Sequence, residues 1–401
     1  MTITVSQITA LVGRYTNSVV NEQVNSECPL IGKGVLKKVK KKDKLGVVNI
    51  KAGELGSAQF IADGGTLPTG GDLAPVQGTY LPVGLFARVA IPRIAATLAS
   101  SLDDGIDIVK EQMDTCGKTM GRMLGRGIVG NSLGAPTATV NVGSTTFTVA
   151  SPGAWRVGMA FEVWNGAAAL EGTSEATLLR ITKVAIPADG VGDTTLTFTA
   201  AGGTGNLVQW TTGYSFYLRG AKSNAMTSLQ DITADASLYS QSQNSNEWSG
   251  NLDSATTTLT VEAMRALMTT VVRRSGHKPT HLLCNRKNEE RYSNRLLNNR
   301  RFTSGKMDAV GGSQFEFEGL PVFTDENFDD TDLYFFNSED VKLHVFRDAA
   351  PDFDGGESKG MNRAAVLVSD SQLIYDVQVL GIYNLRVERR NGTGRMSALA
   401  A

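Results

Sequence analysis

Residues Gly130-Asn131-Ser132-Leu133-Gly134 fit G-x-S-x-G, the pattern that presents a serine hydroxyl on a strained turn between a strand and a helix. The order of elements here is the reverse, with a helical stretch before Ser132 and strand-like runs after it. The match therefore reads as a glycine-rich helix exit, and a serine hydrolase using Ser132 is kept only as an alternative. Gly117-Lys118-Thr119 resembles the end of a phosphate-binding loop, but Gln112 stands where the first glycine belongs. In mid-helix the backbone N–H groups are already bonded and cannot cradle a phosphate. Of the histidines, His277 and His281 are four apart, yet Pro279 between them breaks the helix that would aim both at one metal. Cys28, Cys116 and Cys284 form no C-x-x-C pair and are odd in number, which argues against a disulfide framework or a zinc site. No catalytic residue, cofactor site or metal ligand set is assigned, and the chain is expected not to be an enzyme.

Charge is the other source of chemistry. The 401 residues carry 39 Lys+Arg against 40 Asp+Glu, a formal net charge of −1 that conceals strong segregation. Lys33, Lys37, Lys38, Lys40, Lys41, Lys42 and Lys44, with one Asp among them, sum to +6, whereas residues 316–357 hold thirteen acids against Lys342 and Arg347. Like charges at such density repel unless solvated or faced by opposite charge. The lysine run suits either phosphate neutralisation without sequence preference or pairing with an acidic protein surface. It has no interleaved aromatics, so base stacking is not supported.

The elements that would carry these groups are legible from periodicity. Residues 45–92 read as a hairpin: VVNI, a Gly- and Pro-punctuated tip IADGGTLPTGGDLAPVQG, then YLPVGLFARVAI. Such a hairpin cannot bury itself, and its free edges call for a partner. From Asp103 to Gly130, apolar residues at Ile106, Val109, Met113, Cys116, Met120 and Leu124 recur at steps of three and four, predicting a helix roughly 40 Å long. Gly117, Gly121 and Gly125 repeat every fourth residue. Each costs up to about 1 kcal/mol relative to alanine, which implies close backbone approach along one face. Residues 134–220 hold only nine charged residues and read as five or six short strands of a small β-barrel or sandwich. The remainder is mixed: a helix from Val261 to Gly276, the buried strand HLLCN, a charged helix over 286–301, then strands at FEFEGLPVF, DLYFF, AAVLV, LIYDVQV and YNLRVERR. The start MTITVSQITALVGRYTNS lacks a secretory signal's basic and apolar regions, so cytoplasmic synthesis is expected. No run of eighteen uncharged apolar residues predicts a membrane span.

Taken in order, these parts resemble the major capsid proteins of tailed bacteriophages, which have the Hong Kong 97-type fold. The residues that carry the resemblance are the hairpin QFIADGGTLPTGGDLAPVQGTYLPVGLFARVAI and the helix DDGIDIVKEQMDTCGKTMGRMLGRGIVGN. THLLCNRKNEERYSNRL and FEFEGLPVFTDENF complete the set. The resemblance implies an α+β fold: N-terminal arm (1–44), E-loop hairpin (45–92), spine helix of the P-domain (93–133), β insertion domain (134–220), P-domain connection (221–257), A-domain (258–350), and P-domain strands with the C-terminus (351–401). It also implies hexamers and pentamers closing into an icosahedral shell, the virion capsid, around double-stranded DNA. Phe60, Leu67, Pro68 and Leu73 would touch a neighbouring subunit. The lysine cluster would face DNA or another subunit. The spine-like helix starts too early for a built-in scaffolding region, so a separate scaffolding protein is expected, with a portal and a decoration protein as further partners. Lys51 is the only hairpin lysine available for a cross-link, which is not expected. The alternative within this fold is an encapsulin-type nanocompartment shell.

Overall fold

The structure is a computed structural model that describes residues 17–40, 45–50, 60–61, 76–92, 102–150, 155–174, 177–187, 193–200, 205–206, 208–234, 236–243, 248–297, 316–351, 366–368 and 374–399. The first part of the chain supplies α1 (Asn17–Ser26), α2 (Pro29–Gly32), β1 (Lys38–Lys40), β2 (Gly46–Ile50), β3 (Val76–Tyr80), β4 (Val83–Pro92) and the 28-residue α3 (Leu102–Val129). Next come β5 (Ser132–Gly134), β6 (Thr146–Val149), β7 (Ala160–Asn165), β8 (Ala168–Glu171), β9 (Leu179–Ala185), β10 (Thr194–Ala200) and β11 (Ser215–Leu218), then α4 (Ala221–Asn224), α5 (Leu229–Thr233) and β12 (Asn251–Asp253). The last part holds α6 (Val261–Ser275), β13 (His281–Cys284), α7 (Arg286–Leu297), β14 (Glu316–Phe317), β15 (Leu320–Thr324), β16 (Leu333–Phe336), β17 (Val341–Pro351), β18 (Val366–Val368), β19 (Ile374–Val387) and β20 (Gly394–Met396).

A five-stranded sheet forms the centre of the body. β19, 14 residues long, pairs antiparallel with β17, β18 and β4, and β1 adds to β17 in parallel. The inward face of this sheet, Val341, Leu343, Val345, Val379, Tyr383, Leu385 and Val387, shares one core with Met113, Met120, Leu124 and Ile128 of α3. Two sequence expectations change here. The second arm of the hairpin is not YLPVGLFARVAI: β2 pairs with β3, of which Val76–Gly78 belong to the stretch read as the turn and only Tyr80 to that arm, while β4 crosses to β19. Pro82, which has no N–H to donate, separates β3 from β4. The N-terminal segment is likewise no extended arm over its described part. Residues 17–32 are helical apart from a short break, and Val24, Cys28, Leu30, Ile31, Val35 and Leu36 are buried in the body's core.

A second, six-stranded sheet runs β12-β20-β16-β13-β15-β14. α6 starts on Thr260, whose hydroxyl accepts from the Ala263 N–H, and stops at Gly276 at φ +70°. The β14–β15 hairpin turns on Glu318 and Gly319, both at positive φ, as a two-residue turn of primed type requires. The boundary expected at 350/351 does not divide the sheets. β17, placed with the A-domain, lies in the five-stranded sheet, and the C-terminal β20, placed with the P-domain strands, sits inside the six-stranded one. The chain passes directly from one sheet to the other at 337–340 and at 388–393.

The strands from Ser132 to Leu218 form a seven-stranded unit in the order β5-β11-β7-β9-β10-β6, with β8 alongside β7. A bridge between Pro136 and Val149 joins the two ends of that order and closes it into a barrel. Phe147 lies at the barrel's centre, with the rings of Trp155, Phe161, Phe198, Trp210 and Phe216 between 4.8 and 5.7 Å away from it or stacked within the same cluster. Entry and exit strands are neighbours, since Ser132 pairs with Tyr217. Among the described residues no helix is long and apolar enough to cross a membrane.

Candidate functional site

The hairpin is fixed to the body at its root. Tyr80, at the end of β3, packs on Tyr239 at 4.9 Å between ring centroids, and its hydroxyl is hydrogen-bonded to Nδ1 of the buried His344 at 2.8 Å. A Cβ on Gly46 would lie 2.2 Å from the Tyr80 ring, so this residue must be glycine for the two strands to close. The Tyr239 hydroxyl in turn donates to Leu385 O at 2.6 Å, and burial pushes its own pKa up. Along β2, Gly46, Val48 and Ile50 are buried and Val47 and Asn49 exposed. The rest of the hairpin is only half covered: Val47 and Val76 are 42% and 37% exposed, and Phe60, between the two strands in sequence, is fully exposed. Leu67, Pro68, Leu73 and Lys51 lie outside the described residues.

The glycine stripe of α3 receives α1. A Cβ on Gly117 would meet Gln23 Oε1 at 2.6 Å, one on Gly121 would meet Val24 O and Glu27 Cβ at 2.7 Å, and one on Gly125 would meet Asn327 Nδ2 at 2.9 Å. Polar groups flank the groove: Gln23 donates to Asp114 at 2.5 Å and Arg122 faces Glu27 at 3.3 Å. Arg126, one turn further and fully buried, donates to Asn327 O and Ser132 O and pairs with Asp329 at 3.0 Å. One guanidinium thereby joins the long helix, the barrel's first strand and the loop before β16.

The described lysines of the basic run find partners within their own chain. Lys37 pairs with Glu339, and Lys40 with Asp348 at 2.6 Å, because parallel pairing of β1 with β17 brings the basic strand alongside the acidic segment. Lys38 donates to Asn25, with burial lowering its pKa, and Lys33 sits over the Phe323 ring at 5.1 Å. Lys41, Lys42 and Lys44 fall outside the described residues.

The residues weighed for catalysis do not converge. Ser132 lies on β5, and its hydroxyl accepts from the Gly134 N–H at 3.3 Å. His277 faces Asp340 at 3.6 Å, whereas His281 bonds Thr280 at 2.9 Å. Burial pushes the thiol of Cys28 up to about 12 and that of Cys116 up to about 11, and Cys284 is raised as well. Among the described residues no group of His, Cys, Asp and Glu could hold a metal ion.

No protein-family model matches the chain, and no curated protein matches it by sequence. Solved structures do match. Over 93% of its length the chain superposes on 93% of the chain of the cyanophage A-1(L) capsid asymmetric unit, with a TM-score of 0.52 and 12% identity. Over 94% it superposes on 91% of the capsid chain of the native GTA particle, with 0.51 and 10%. The chain of the empty GTA particle aligns over 94% of this chain and 91% of its own, with 0.50 and 9%. The chain has the Hong Kong 97-type capsid fold. Two features of this capsid-fold chain escaped the sequence reading. One is the seat of α1 in the glycine groove, for which the stripe itself was the signal. The other is Arg390, fully buried, whose guanidinium donates to the carbonyls of Ile232, Ala236 and Ala234 at 2.8, 2.7 and 2.6 Å and so gathers the carbonyls at the end of α5. An arginine in the strand-like run YNLRVERR gives no sign of such a role.

Proposed function

We propose that this chain is the major capsid protein of a tailed, double-stranded DNA bacteriophage, assembling as hexamers and pentamers into an icosahedral shell around the genome. The observation that carries this reading is the hairpin β2–β3. It is anchored at its root by Tyr80 yet leaves Val47, Val76 and, between its strands, Phe60 exposed, as expected of an element completed by another copy of the same chain. The likeness in fold to capsid chains agrees with it. In this reading the hairpin is the E-loop, α3 the spine helix and the barrel an insertion domain. Phe60, with Leu67, Pro68 and Leu73, meets the neighbouring subunit. Scaffolding, portal and decoration proteins are separate chains, and the shell holds without a Lys51 cross-link.

The content of purified, nuclease-treated particles tests it. Protected double-stranded DNA, with portal protein co-purifying, is the expected result. Particles that hold cargo enzymes and no DNA would instead identify a nanocompartment shell of encapsulin type.

A further inference from the structure

The cationic groups of the molecule differ in what they are bonded to. Lys37 and Lys40, in the run expected to meet DNA or another subunit, are each matched by a carboxylate of the same chain. A second cluster gathers where α6 ends: Arg273, Arg274, His277 and Lys278 are all exposed within six residues, and Arg389 reaches them from the end of β19. Its described hydrogen bonds go mainly to neutral acceptors. Arg274 donates to Asn251 Oδ1 at 3.0 Å, Lys278 to Glu318 O at 2.8 Å, and Arg389 to Ser275 O at 2.9 Å and His277 Nε2 at 3.2 Å. Such bonds orient a cation without cancelling its charge.

The nearby acids are few and engaged. Asp340 is buried beneath His277 and is also acted on by the charge of Arg389, Glu388 is held by Lys342 at 3.0 Å and Arg386 at 3.4 Å, and Glu318 by Arg265 at 2.6 Å. Counting Arg265, Arg273, Arg274, Lys278, Lys342, Arg386 and Arg389 against these three and Glu262, which shares α6 with Arg265, leaves three net positive charges, before any contribution from His277. The dipole at a helix C-terminus favours a cation in its last turn, but it does not account for a surplus of this size. Because arginine forks match phosphate oxygens and no Phe, Tyr or Trp stands in 273–278 or 388–390, the chemistry suits a phosphate backbone without base reading.

Resting on the shell reading above, we infer that the basic cluster at the end of α6, Arg273, Arg274, Lys278 and Arg389, is a contact surface for the nucleic acid backbone, ahead of the lysine run. The test is binding of full-length protein to a random-sequence duplex of about 30 base pairs across a salt series, since each phosphate contact contributes about 0.9 to the slope of log affinity against log salt. The double variant R273Q/K278Q should lower that slope by about 2, and R273E should weaken binding further, while K37Q/K40Q leaves the slope unchanged. Thermal melting of R273Q/K278Q should match wild type, because Arg273 and Lys278 are exposed. An unchanged slope in R273Q/K278Q together with a reduced one in K37Q/K40Q would overturn the inference. So would displacement of the protein by poly-glutamate at the same charge concentration as DNA, which would point to an acidic protein partner. Failure here leaves closed wild-type particles visible by electron microscopy, whereas failure of the shell reading leaves none.

Discussion

The barrel and the hairpin are both built of short strands rich in Thr, Val and Gly, and they solve the edge problem in opposite ways. In the barrel the Pro136–Val149 bridge joins the ends of the strand order, and Phe147, Phe161, Phe198, Trp210 and Phe216 are all buried. Closure of this kind removes free edges along the strand order, leaving β8, which pairs only with β7, outside it. In the hairpin only two strands pair, one face is held by Tyr80 and Tyr239, and the residues beyond remain open. Two strands alone are marginal in water, so the hairpin depends on its surroundings where the barrel does not. The difference separates an element finished within one chain from one that, in the proposed shell, is completed by a second.

The sharpest break would come in the barrel. Trp210→Ala should cost about 3–5 kcal/mol, confined to the barrel, because the ring fills the aromatic centre. Domain-resolved hydrogen exchange checks this, and loss of protection in the five-stranded sheet as well would show that the two units are not independent. Gly121→Leu comes next. Its side chain has no room against Val24 O and Glu27, so a loss of about 1–3 kcal/mol is expected by thermal melting. A melting curve like that of wild type would remove the groove's role in holding α1. Tyr80→Phe deletes only the hydroxyl bonded to His344 and should cost about 1 kcal/mol, read as faster exchange at residues 46–50 and 76–80. Phe60→Ser should change the subunit's own melting by less than about 0.5 kcal/mol, since the ring touches solvent, while lowering the yield of particles. Unaltered assembly of that variant would make the hairpin's exposure incidental.

How far the sequence could be read depended on whether each segment's pattern was local. The step of three and four from Met113 through Leu124 delivered the long helix within a residue or two of Leu102–Val129, and HLLCN delivered β13. The hairpin's second arm was missed because Gly78 looks like turn chemistry, although in β3 its bare Cα lies under Ile50 and Tyr239. α1, with the sequence NSVVNEQVNS, has little intrinsic helical preference and is helical because the groove of α3 accepts it. The exchange of β17 and β20 between sheets is a long-range pairing that no window of sequence contains. Charge segregation was plain, but its partner was not. Only the parallel pairing of β1 with β17 shows Lys37 and Lys40 meeting the acidic segment of their own chain. The surplus at the end of α6 becomes visible only when Arg389 arrives from more than a hundred residues away.

In the proposed shell the open hairpin is completed by another copy of the chain. A cryo-electron microscopy reconstruction of the purified full-length protein tests this most directly. The expected result is closed shells of uniform diameter in which a neighbouring subunit covers Phe60. A protein that stays monomeric at high concentration, or shells in which Phe60 remains in solvent, would contradict it.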